Sequence, residues 1–462
     1  MAIPRQAPVP TAKGLLPRLF AGVFGAFLGL TLLKFGNPPI FEKLVSAPGN
    51  VFEFALNTPW PIIWAYWLLV LVALLGLLVL RFRPEAPLGL VVLPLLWLIW
   101  EGIAGIRSVD PQLTRPTLKH FTAAALCFYL GFFCLRSMPS AAFPPGGIRR
   151  GQGRAGSDTG APSLGWFWIG LVCSFLIVLA VGWEQHFGGL EETRNYFFTY
   201  LYPQMKEVSP EYLKKISSDR IFSTLFYPNT LAGAVLLFLP ATLAVIAQLR
   251  ERLTLGARAF VAFAVVAGAL GCLYWSGSKG GWLLILVLGL IAATRLRLSQ
   301  QIKIGLAAAV LVIGVAGFAW KYRAFFQKGA TSVVARFDYW GAAVKTTAAS
   351  PIFGTGPGTF FVAYQRLKRP ESEPARLVHN DYLEQASDSG LPGAVLYAVF
   401  IVGVLWKSRP AWEGGDWEAF AIWLGLLGWA LQGFFEFGLY IPALAWPAFT
   451  FMGWLLSQKR AD

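Results

Sequence analysis

Residues 60–80 read WPIIWAYWLLVLVALLGLLVL, an apolar run without one charged side chain. About 20 such residues are what an α-helix needs to cross the hydrocarbon core of a bilayer with every backbone amide bonded inside the segment. The stretch YPNTLAGAVLLFLPATLAVIAQL at 227–249 has the same character. Apolar runs recur at 17–35, 86–106, 119–136, 165–185, 257–276, 279–294, 303–320, 391–407, 417–435 and 440–457. Together they predict an all-α polytopic membrane protein with about twelve transmembrane helices.

Composition points the same way. Of 462 residues, 56% are hydrophobic and 14% charged, where a soluble domain carries about 25% charged residues. The N-terminal PRLFAGVFGAFLGLTLL has basic residues ahead of it but no cleavage site before KFGNPPIFEK, so it reads as a retained first span. An even number of spans puts both termini on one side. Lys and Arg gather in the segments on that side, which makes it the cytoplasmic one. The net charge is +15, and with no basic domain of interleaved aromatics it argues for anionic lipid or phosphate ligands and against nucleic acid. Cys127, Cys134, Cys173 and Cys272 sit in or beside apolar runs without metal-ligand spacing and read as small core hydrophobes.

This topology divides the chain into a five-span N-terminal bundle (1–185), an extracytoplasmic loop (186–226) and a C-terminal membrane region (227–462) containing a second large outer loop, 321–390, between spans nine and ten. In the first loop SPEYLKKI predicts a short helix starting at Pro210, and in the second TSVVARFDYWGAAVKTTAA predicts another, with Arg336 and Trp340 on one face. The inner segment 137–164 is rich in Gly, Pro, Ser and Arg and is expected to be disordered.

The polar chemistry collects in the outer loops. Glu101 and Glu436 lie near the outward ends of their spans and read as carboxylates at the interface or paired within the bundle. Arg220 precedes a span opening with Pro228 and Asn229, which sets a cation beside a helix N-terminus. In LYWSGSKGGWLL, 273–284, a tight turn presents Lys279 among serines and glycines, either as an anion site that a ligand can approach closely or as a plain hairpin. Gly354, Gly356 and Gly358 imitate a phosphate loop, but no strand precedes them, and a close-packed turn is the better reading. In RLVHNDYLEQASDSGLPG, 376–393, His379 is one of three histidines, and Gly390 with Pro392 breaks the helix and starts the next span. His379 could be a satisfied surface ring, a metal ligand with Asp381 and Glu384, or a general base, because imidazole titrates near neutrality.

The succession SGSKGGWL, RFDYWGAAVKTTAASPIFGTGPGTF and HNDYLEQASDSGLPG, ordered around a long outer loop, resembles the O-antigen ligase and polymerase superfamily across about 220–405. That resemblance implies a GT-C-like membrane fold in the bacterial inner membrane, with the active site on the extracytoplasmic side and no cofactor or metal. It implies transfer of an undecaprenyl-pyrophosphate-linked glycan, with inversion, to a lipid A core, a further repeat unit or a protein hydroxyl. His379 falls on the family's base. Arg336 and Lys279, with Arg220, fall on the cations that hold the pyrophosphate, and Asn380, Tyr382 and Glu384 on supporting positions. Lys279 departs from the family's arginine: it keeps the charge and loses the bidentate fork. A lipid-linked sugar transporter is the alternative from another class, and would be expected to show ionisable groups at mid-bilayer.

Overall fold

A computed structural model of the chain describes residues 12–56, 59–81, 87–135, 163–204, 213, 216–295, 298–327, 331–370, 372–410 and 416–458. Among these residues every regular element is a helix: α1 (Ala12–Lys34), α2 (Val51–Leu56), α3 (Ile62–Leu77), α4 (Leu88–Ile106), α5 (Pro111–Cys134), α6 (Ser163–Glu184), α7 (Leu190–Tyr196), α8 (Pro228–Gln248), α9 (Leu255–Ser276), α10 (Lys279–Thr294), α11 (Gln300–Gln327), α12 (Thr331–Ala349), α13 (Phe360–Leu367), α14 (Asp381–Lys407), α15 (Trp417–Gln432) and α16 (Pro442–Ser457), with short 3-10 and π turns between them. Eight of them, α1, α4, α5, α6, α8, α9, α11 and α14, are long and apolar enough to cross a membrane. The expected count of twelve needs the 16-residue helices α3, α10, α15 and α16 to cross as well. The segment 137–164 lies almost wholly outside the described residues, and so does most of SPEYLKKI.

Water does not drive helix against helix in a bilayer, so backbones must approach closely enough for dispersion to hold them. Glycine permits this between α5 and α16, where a methyl at Gly131 would sit 2.3 Å from the Thr450 carbonyl and one at Gly453 2.0 Å from that of Phe128. Trp97, Trp429 and Trp446 fill the interior, while α11 presents nearly all of its apolar surface outward. Cys127, Cys134 and Cys272 are buried as expected; Cys173 differs, being exposed on α6.

Connections at one end of this bundle are stitched together. The Val109 amide donates to Thr355 O at 2.9 Å, and the amides of Thr355 and Gly356 donate to the carbonyls of Ser387 and Asp388 at 3.0 and 2.8 Å. Those carbonyls are available because α14 breaks at Gly390, whose φ of 72° suits glycine alone. The glycine-rich stretch is therefore a packed turn: a methyl at Gly354 would lie 2.4 Å from the Asp388 carbonyl carbon, and one at Gly358 2.2 Å from Thr117 Oγ1. Asp388 completes the joint by accepting from the amides of Gly358 and Phe360 at 2.6 and 3.1 Å.

Candidate active site

His379 sits at the entry to α14 in the left-handed region, φ 55°, a conformation a side-chain-bearing residue holds only when its surroundings enforce it. Asn380 supplies part of that enforcement as the cap of α14, its Oδ1 accepting from the amides of Tyr382 and Leu383 at 3.1 and 3.0 Å. Tyr382 donates to Ala430 O at 3.0 Å and stacks on Phe434, and Glu384 accepts from the Val378 amide at 3.1 Å. These three supporting residues fix backbone around the histidine. The ring itself is packed against Tyr339 and edge-on to Phe437, with centroids 5.7 and 4.8 Å away.

Its polar partner is Glu436, in the connection between α15 and α16. His379 Nδ1 lies 3.2 Å from Glu436 Oε2. The other carboxylate oxygen accepts from Arg336 Nη2, in a short hydrogen bond, and from Asn229 Nδ2 at 2.5 Å. Arg336 is fixed further by donating to Phe435 O at 3.1 Å and Ser332 O at 2.9 Å. Asn229 turns its oxygen to Arg220 Nη2 at 2.8 Å, and Arg220 Nε donates to Ser276 O at 2.7 Å in the turn before Lys279. One hydrogen-bonded chain thus runs from His379 through Glu436 and Asn229 to Arg220, with Arg336 as a branch.

Lys279 is the first residue of α10, after the cap Ser278. Its ammonium lies 5.1 Å from the Tyr322 ring centroid and within electrostatic reach of Arg220 and Arg336. The small residues of the turn admit protein here: Arg220 Nε would be 3.2 Å from a methyl on Gly277, and the Phe435 ring 2.1 Å from one on Gly280. The turn thus seats a cation and an aromatic ring, where the sequence left open close approach by a ligand or a plain hairpin.

Glu436 is the residue that sequence reading placed in the structural class and that the fold places at the centre. Burial alone would push its carboxyl up; the hydrogen bond with His379 and the Arg336 charge outweigh that and hold it below the ordinary carboxylate value. An ionised Glu436 can only accept, so the single-proton form of the imidazole facing it is the one with its proton on Nδ1 and the lone pair on Nε2. Tyr227, just before α8, has its ring centroid 6.3 Å from that of His379. Burial and then the Glu436 charge push its phenol up to about 12, against the pull of Arg220 and Arg336, so it stays neutral. Asp381 and Glu384 do not join His379: their bonded oxygens accept from the amides of Leu439 and Val378. Among the described residues no three His, Cys, Asp or Glu side chains are grouped to hold a metal ion.

The arrangement sets an imidazole against a buried carboxylate that also binds Arg336, with Arg220 and Lys279 further along, a set of groups able to take a proton from a hydroxyl and to stabilise a departing anion. Residues 263–398 match the family model described as O-antigen ligase, a segment that contains Lys279, Arg336 and His379 and leaves Arg220, Asn229 and Glu436 outside it. Over that segment the chain is similar to the O-antigen ligase and polymerase superfamily, and the long apolar helices fit a multi-pass membrane protein. No curated protein matches the chain.

Proposed function

We propose that the chain transfers a glycan from an undecaprenyl-pyrophosphate donor to an acceptor hydroxyl at the extracytoplasmic face of the bacterial inner membrane, with the lipid A core as the favoured acceptor. The observation that carries this reading is the continuity of His379, Glu436, Arg336, Asn229 and Arg220 through hydrogen bonds. His379 Nε2 takes the acceptor proton as the new bond to the anomeric carbon forms. The sugar–pyrophosphate bond breaks on the opposite side, inverting that carbon, and the pyrophosphate leaves with the electron pair. Arg336, Lys279 and Arg220 stabilise its growing charge by charge-assisted hydrogen bonds, a role that a divalent metal has in many glycosyltransferases.

A deletion strain tests the function and names the acceptor. Loss of glycan from the lipid core is the expected result. Loss of chain length alone would indicate a polymerase and loss of protein glycosylation an O-oligosaccharyltransferase; no change in any of the three would reject the proposal. Lys279 carries its own prediction. Lys279→Arg, which restores the fork, should retain or raise turnover, and Lys279→Ala should lower it, roughly tenfold or more. Equal indifference to both substitutions would remove Lys279 from the pyrophosphate site.

Transport draws support from one feature, the buried carboxylates Glu101, Asp381, Glu384 and Asp388. Each has a local partner, however: Glu101 accepts from Ser389 Oγ at 2.5 Å, and the other three hold backbone amides. These bonds tie neighbouring helices and connections together, which favours a structural reading of the group over a transport path.

A further inference from the structure

His379 and Glu436 come from segments far apart in sequence, and their 3.2 Å contact tolerates only a few tenths of an ångström before the hydrogen bond weakens. The connection carrying Glu436 is fastened to the histidine's helix through Tyr440, whose hydroxyl accepts from Gln385 Nε2 at 3.0 Å and donates to Asp388 Oδ2 at 3.3 Å, and on either side of Glu436 itself through Asp381. The Asp381 amide donates to Gly433 O at 2.7 Å, ahead of Glu436, and its Oδ2 accepts from the Leu439 amide at 3.0 Å, beyond it. The carboxylate lies between two glycines: a methyl on Gly433 would come within 3.0 Å of Oδ2, and one on Gly438 within 3.8 Å. His120 holds the Leu439 carbonyl from the other side, with Nε2 2.7 Å away, while its Nδ1 accepts from Trp446 Nε1 at 3.2 Å. Asp381 is 1% exposed, and among the described residues Oδ1 has no hydrogen-bond partner.

We propose that Asp381 is a positioning residue that sets Glu436 in register with His379, an inference that rests on reading His379 as the general base. Without its side-chain acceptor the buried Leu439 amide is left unpaired, which favours rearrangement of 436–439 until that amide finds another partner. Glu436 then separates from Nδ1, and the imidazole is free to carry its proton on Nε2. That tautomer has no lone pair where the acceptor proton must go. Asp381 therefore acts on the reaction through the ring's tautomer while touching neither substrate.

The tautomer can be read directly. The chain has three histidines, so the ring-nitrogen spectrum of the full-length, ¹⁵N-histidine-labelled protein in detergent is assignable with His120→Gln and His186→Gln variants. In the wild type and Asp381→Asn, which keeps an acceptor for Leu439, neutral His379 is expected as the Nδ1–H form. In Asp381→Ala and Asp381→Ser, the second chosen because it keeps a polar group at the site, the Nδ1–H signal should be lost to a mixture rich in Nε2–H. Glycan transfer in cells should fall roughly tenfold or more in the same two variants and be rescued by Asn. An unchanged Nδ1–H signal in the folded Ala or Ser protein overturns the proposal. His379→Asn separates the two layers: if it abolishes transfer while the tautomer ignores Asp381, the positioning role fails and the base stands. Full transfer by His379→Asn removes the base reading, and with it the catalytic consequence of the register.

Discussion

Replacing His379 should abolish glycan transfer and leave lipid-linked donor accumulating in the membrane. A positioned base is worth roughly 10²- to 10⁴-fold, and Nε2 is the nitrogen that the Glu436 contact leaves available. The choice of replacement matters because the backbone is left-handed here, φ 55°. That region costs a residue with a Cβ about 1–2 kcal/mol, and asparagine visits it more readily than alanine. His379→Asn therefore removes the base with the least disturbance of the fold. Lipid extracts and surface glycan from cells carrying it, compared with wild type, give the measurement. Product at the wild-type level would show that the ring is not the base.

Arg336→Ala should fail in two separable ways. It removes a cation from the departing pyrophosphate, a loss of roughly 10²- to 10³-fold by analogy with deleted oxyanion donors. It also leaves Glu436 short of a charge partner, and breaking a buried pair costs about 3–5 kcal/mol. Arg336 and Glu436 side chains are 18% and 7% exposed, so solvent can do little to repair the break. Adding Glu436→Gln to Arg336→Ala should recover much of the thermal stability and none of the rate. Recovery of both would mean that Arg336 serves the fold alone. The pair also has a pH signature. Because the Glu436 carboxyl is held below its ordinary value in the folded protein, its stabilising contribution is present above about pH 4.3, the unfolded value. That contribution is lost as pH falls through the lower folded value. Acid melts of wild type and Glu436→Gln should differ there and converge below it.

Much of the site was legible because its residues are marked by neighbours in sequence. His379 stands in a run whose Asn380 caps a helix, Arg336 lies on a helix whose range, Thr331–Ala349, follows from the pattern alone, and Lys279 opens α10 behind the cap Ser278. Glu436 carried no such mark, being a single carboxylate at the edge of an apolar run, where an interfacial side chain and a site residue look alike; Asn229 was visible only as part of the helix start after Arg220. Asp381 was visible as a residue beside the histidine but not as a clamp, because both groups it holds belong to a connection more than fifty positions away.

Sequence by itself determined that this chain is a bundle of apolar helices with its polar chemistry in the connections. Membrane thickness and backbone hydrogen bonding impose that on any chain with runs of this length and hydropathy. Only the tertiary structure decided which connections meet. A single carboxylate can bind Arg336, Asn229 and His379 at once only when four parts of the chain, helices as well as connections, converge at one end of the bundle, and helix-to-helix packing, through glycines such as Gly131 and Gly453, sets that geometry.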